Sequence, residues 1–286
     1  MIVGTFLWFR LFIILSFYYN SIIMPSSYTH QFFARTAITL FPREVQDIIN
    51  EYPYTFYLGA LGPDPLYFYG PLKGNPFYSL GDEIHDKGIR KTLLGIQNPG
   101  NEEISYLIGY ISHYVLDKNC HEYIYAVDKD NRLHHIIEAE LDKRLALVER
   151  KGRKISFTSL MKTDECDFSF IKEILQVDSQ IYISGVKSMK RLTSLLMTTN
   201  PVLRFFTRLC LSLTPRFKKY KDIMFDERTR PELDDIIQEL QDRMKKSYTE
   251  YVEDVSGFFA YIQGKRKDIS FGEDMSFEGK KLEVNV

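Results

Sequence analysis

Beyond residue 25 the apolar positions recur every three or four residues and strict alternation is scarce, so the pattern predicts helices and an all-α fold. Pro42 is placed to start a helix whose inner face is Val45, Ile48 and Ile49. Residues 54–73 are rich in Gly, Pro and aromatics, with the centre GALGPDPLYFYGPLKG, and are expected to be a loop. Asn98, Pro99 and Gly100 form a turn. After it Ile104, Leu107, Ile108, Ile111 and Val115 mark the stripe of a helix running to about Tyr123, and another helix is expected over 133–149. Pro231, at a first helical position, opens a long amphipathic segment. Its stripe of Leu233, Ile236, Ile237, Leu240, Met244, Tyr251, Val255, Phe258, Phe259 and Ile262 reads as core packing.

The ends read differently. Residues 1–23 are apolar almost throughout, with Arg10 in the middle and no small-residue cleavage site. Three readings stand: a start codon set too early with Met24 as first residue, an uncleaved membrane anchor, or a signal peptide. The first two place the protein in the cytoplasm or at a membrane, and the third, less favoured, outside the cell. The expected organisation is a leader at 1–23, a helical domain at 24–264 and a charged tail at 265–286 that wraps the body or frays.

Composition narrows the class. At 44% hydrophobic and 14% aromatic residues the chain has ample material for a core. A formal net charge of -1 makes nucleic acid an unfavoured partner. Cys120, Cys166 and Cys210 have no paired spacing, which excludes cysteine-based zinc fingers, argues against a disulfide framework and favours a reducing compartment.

All six histidines fall between His30 and His135, and their neighbours carry the chemistry. In ISHYVLDKNCHEYI, His113, Asp117 and His121 are spaced by four, so at ~100° per residue they share one helix face. In HHIIEAELDKRL, His134 and Glu138 repeat the spacing, while His135 points away from His134 and is not counted as a ligand. One such pair alone is more simply a hydrogen-bonded surface pair. Two pairs joined by His121, with further candidates upstream, point to metal ligands projecting inward from facing helices. Imidazole with carboxylate suits Zn²⁺. The upstream candidates are Asp64 in GPDP, where turn residues fix the backbone around a carboxylate, His85 in GDEIHDKG, and His30 at the start of an early helix. Asp82 and Asp86 beside His85 are expected to be solvated rather than ligating.

In order and type these residues resemble the zinc-dependent phospholipase C family. The likeness runs from Tyr28-Thr29-His30 through Gly62-Pro63-Asp64-Pro65 and His85 to ISHYVLDKNCH and HHIIEAELD. It implies a multi-helix domain with clustered zinc ions between helices, shared in outline with single-strand nucleases of the P1 type. Carried over, Asp64, His85, His113 and Asp117 surround one zinc, His121, His134 and Glu138 hold a second, and His30 with a bridging Asp117 forms part of a third. Two positions depart from the family. Secreted members begin their mature chain with a tryptophan that completes the third site, whereas the one tryptophan here is Trp8, inside the leader. An aromatic residue that helps recognise choline follows the Asp in those enzymes, whereas Pro65 follows Asp64 here.

The expected function is therefore zinc-dependent hydrolysis of phosphodiester bonds, with phospholipid as substrate and Asp64 as both a ligand and the best candidate general base. A nuclease-like phosphodiesterase and a non-catalytic metal-binding, membrane-associated module are the alternatives. Residues 179–221 hold no Asp or Glu, and Lys187, Lys190, Arg191, Arg204, Arg208, Arg216, Lys218, Lys219 and Lys221 alternate there with Leu, Phe and Met. Two readings fit: a core-facing helix pair with a solvated basic edge, and a segment lying on an anionic membrane.

Overall fold

The structure is a computed structural model that describes residues 26–70, 74–129, 133–150, 155–213, 218 and 220–282. The leader at 1–23, with Trp8, lies outside them, as do Arg216 and Lys219. Among the described residues the regular elements are helical, apart from one isolated bridge between Met275 and Lys281. In chain order they are α1 (Ser27–Ala37), α2 (Arg43–Glu51), α3 (Pro53–Gly59), α4 (Tyr78–His85), α5 (Arg90–Gly95), α6 (Asn101–Val127), α7 (His134–Arg150), α8 (Ile171–Leu175), α9 (Ser179–Leu196), α10 (Pro201–Leu213) and α11 (Asp234–Ile262). Short 3-10 helices sit at Ile38–Leu40, Asp64–Phe68 and Pro231–Leu233. None of the described helices is long and apolar enough to cross a membrane.

The fold is organised around α6. Its residues from Ile104 to Asp117 are buried on every side, as expected of a helix apolar all round. Glu102 and Glu103 in its first turn complement the helix dipole. Helices α1, α2, α3 and α11 pack around it. The closest approach is to α3, where Gly59 and Gly109 remove the side chains between two backbones. A Cβ at Gly109 would lie 2.1 Å from the Phe56 carbonyl oxygen, and one at Gly59 would lie 2.1 Å from that of Tyr106. Backbone cannot yield as a flexible side chain can, so Gly109→Ala is expected to destabilise the fold by about 1–3 kcal/mol. A urea titration giving the wild-type midpoint would refute this close packing.

Two expectations need revision or completion. Residues 54–73 are not a plain loop: Pro53 occupies a first helical position, and α3 followed by the 3-10 helix fills most of the segment. Thr55, Phe56, Leu58 and Gly59 are buried there, so tertiary packing overrides the turn-rich composition. The tail wraps rather than frays as far as Leu282: Ile269, Ser276 and Phe277 are buried, and the Tyr114 hydroxyl donates to the Met275 carbonyl at 2.9 Å. On α11, Ile237, Leu240, Met244, Tyr251, Val255 and Phe258 enter the core as the stripe predicts. The three cysteines are free.

Candidate metal centre

Local structure sets the positions first. On α6, His113, Asp117 and His121 lie on one face, and none is more than 3% exposed. The helix ends at Asp128, whose carboxylate accepts the backbone N–H of Leu133 and of His134, each at 2.7 Å. This caps the start of α7 and brings the His134 ring centre within 5.2 Å of that of His121, with Glu138 one turn further on. His85 is the last residue of α4, Asp64 the first of the 3-10 helix, and His30 lies in the first turn of α1.

The structure brings all eight predicted residues together, buried, in three groups, the first two of which share His113. His30, Asp64 and His113 form one, His85, His113 and Asp117 another, and His121, His134 and Glu138 the third. Within each group one donor atom per residue lies within 4.8 Å of the others. Asp117 joins them: its oxygens are 3.1 Å from His113 Nε2, 3.2 Å from His30 Nε2, 3.9 Å from His85 Nε2 and 4.0 Å from His121 Nε2. Asp64 Oδ1 lies 3.3 Å from His85 Nε2, and Glu138 Oε1 lies 3.1 Å from His134 Nε2 and 3.6 Å from His121 Nε2.

Backbone carbonyls choose the tautomers. His113 Nδ1 faces the Ala60 carbonyl at 3.2 Å and His85 Nδ1 faces that of Gly81 at 2.8 Å. A carbonyl only accepts, so each Nδ1 carries a proton, and once Nε2 gives up its own its lone pair faces the centre of the cluster. Gly62 makes room for this. It adopts a positive φ of 55°, and a Cβ there would lie 2.3 Å from the His113 ring.

Burial and charge oppose each other throughout the cluster. Burial pulls the His85 pKa down, but Asp64 and Asp117 more than offset it and hold it up at about 9. Against the same penalty Asp117 and Glu138 hold His121 at about 10, and His30 is also raised, chiefly by Asp117. In His113 burial prevails over Asp117, with His30 adding to it, and the pKa is lowered. Burial raises Asp117 and Glu138, yet the neighbouring imidazoles, led by His113 and His134 respectively, hold both well below the usual carboxylate range.

Protein groups alone leave this cluster incomplete. Both oxygens of Asp64, Asp117 Oδ2, Nε2 of His85 and of His113, and Nδ1 of His30 and of His121 are buried without a hydrogen-bond partner. Buried polar atoms are ordinarily paired, and so many convergent lone pairs fit divalent cations in a nitrogen and oxygen donor set. Because His85 and His121 favour the protonated form, metal uptake must displace protons. Zinc affinity is therefore expected to fall as pH drops below about 9, by about tenfold per unit for each proton displaced. Titration calorimetry in buffers of different ionisation enthalpy measures the protons released. An affinity independent of pH would contradict the donor assignment.

Sequence reasoning overlooked several supporting groups. The Tyr67 hydroxyl donates to Asp82 at 3.0 Å and sits 3.1 Å from His85 Nδ1. Asp82 is thus exposed but engaged, and Asp86 pairs at the surface with Lys280. Asp142 accepts the backbone N–H of Tyr28 and of Thr29 and the Thr29 hydroxyl, capping the helix that carries His30 from across the fold. Burial pushes its carboxyl up to about 7 although those hydrogen bonds pull it down. Phe277, from the tail, packs its ring 5.7 Å from His85 and 5.9 Å from His113. His135 is less remote than expected: its ring centre lies 5.4 Å from that of His134, and its Nδ1 lies 3.5 Å from Glu138 Oε2 at the solvent edge.

A family model described as zinc dependent phospholipase C matches residues 29–189, which include every residue of the three groups. No curated protein and no solved structure matches the chain.

Proposed function

We propose that this chain, which belongs to the zinc-dependent phospholipase C family, hydrolyses phospholipids at the phosphodiester bond on the glycerol side. The observation that carries the reading is the convergence of buried, unpartnered nitrogen and carboxylate atoms on Asp117 and His113. His85, His113 and Asp117 would hold one zinc, and His121, His134 and Glu138 another. Asp64 is a further donor to the first, and His30 with an oxygen of Asp117 is available to a third. Zinc bound there supplies positive charge against the anionic phosphodiester oxygens and makes water more acidic.

The residues around it supply position and proton transfer. Asp64 is fully buried at a helix start, with both oxygens unpaired beside His85 and His113. One oxygen can serve as donor while the other takes the proton of the attacking water. The phosphorus–glycerol oxygen bond then breaks, and the leaving oxygen takes up a proton, giving diacylglycerol and a phosphorylated head group.

Phospholipid is favoured over nucleic acid because a net charge of -1 offers a polyanion little general attraction. Parallel assays on phospholipid vesicles, single-stranded DNA and a small chromogenic phosphodiester test the reading. Phospholipid turnover that stops on chelation is expected. Preferential cleavage of DNA would replace it with a nuclease, and bound zinc without turnover of any of the three would reduce the site to a structural one.

A further inference from the structure

Helix α10 is held to the body by little. Of its side chains only Thr207 and Leu211 are buried, and α9 is its main helical neighbour. Val202, Phe205, Leu209 and Leu213 are 63%, 64%, 43% and 69% exposed. At ~100° per residue these four fall within an arc of ~80°, so α10 presents one continuous apolar stripe to solvent.

Beside that stripe lies a cavity of about 370 Å³ whose wall is basic. Lys143, Arg204, Arg208, Lys221, Arg228 and Arg230 line it, against Glu140, Asp222 and Asp226. Glu140 is already committed, to Lys143 and, at 2.8 Å, to Arg144. Asp226 accepts the Arg228 backbone N–H at 3.0 Å. Arg204, Arg208 and Lys221 have no ion pair within 4.0 Å among the described residues, so they form a cationic rim along the stripe. This cavity is not the metal centre. It meets α7 at Ile136, Ala139 and Lys143, on the face opposite His134 and Glu138.

We infer that α10 and the basic cavity beside it dock the protein on an anionic lipid bilayer. The stripe enters the boundary between head groups and acyl chains, and Arg204, Arg208 and Lys221 engage lipid phosphates and carboxylates. An amphipathic helix with one apolar and one basic side is suited to that interface. Charge selects this occupant. A second copy of the chain meeting the same face would set cation against cation. Residues 1–25 contain no Asp or Glu, so they bring nothing to complement the rim. The inference goes beyond the hydrolase reading and does not depend on it.

Flotation of the full-length chain with vesicles of phosphatidylcholine, with or without phosphatidylserine, tests it. Binding is expected with phosphatidylserine and to weaken at high salt. Removing two cations by Arg204→Gln with Arg208→Gln should lower partitioning by about 25-fold or more. Phe205→Ser with Leu209→Ser should also lower it, and both substitutions lie on an exposed face where helical circular dichroism checks that the fold is kept. Equal binding to phosphatidylcholine alone would overturn the inference. So would undiminished flotation of either double variant, or a dimer in size-exclusion chromatography that only the stripe variant dissociates. Hydrolysis of the soluble chromogenic phosphodiester tests the metal centre separately, without a membrane.

Discussion

Asp117→Asn is expected to release zinc and bring hydrolysis to background. Its carboxylate lies within 4.0 Å of imidazole nitrogens from four histidines, on three separate helices. Asparagine keeps the size but removes the charge, and it has one oxygen to serve positions that two serve now. Losing the partner of several buried imidazoles costs about 3–5 kcal/mol in the metal-free protein. Zinc affinity should fall by more than ~100-fold, since altering a group merely hydrogen-bonded to a ligand already costs up to that much. Zinc content and turnover are the measurements. A variant that keeps both would show that Asp117 only fills space.

Asp64→Asn separates holding metal from moving a proton. Asp64 is the first residue of its 3-10 helix, and asparagine preserves the oxygen nearest His85. Neutral asparagine cannot take a proton from water, so turnover is expected to drop by about 10²–10⁴-fold. The His121, His134 and Glu138 group does not include Asp64 and should keep its zinc. Loss of turnover with zinc retained supports the base role. Undiminished hydrolysis removes it, and loss of all zinc recasts Asp64 as a structural donor.

The sequence disclosed what short-range periodicity encodes. The spacing of His113, Asp117 and His121 reads as one helix face because four residues make nearly one turn. His134 and Glu138 read the same way. His30, Asp64 and His85 carried weaker local signals, and it is their order along the chain, matching a family, that drew them in. Helix α3 was hidden because Gly, Pro and aromatics signal turns, while its stability comes from packing its glycine and aromatic face on α6. Asp142 and Phe277 reach the site's neighbourhood across more than a hundred residues, from which no local pattern can announce them. His135 stays outside the three groups, and its approach to Glu138 is the ordinary i,i+3 neighbourhood of a helix surface.

Zinc content by plasma mass spectrometry, on the full chain beside His113→Ala and His134→Ala, tests the central claim most directly. More than one zinc per chain is expected. His134→Ala should remove the share held with His121 and Glu138, and His113→Ala the share held around Asp64, His85 and Asp117. A protein that carries no zinc and takes up none on addition would make the cluster a packing arrangement and contradict the account.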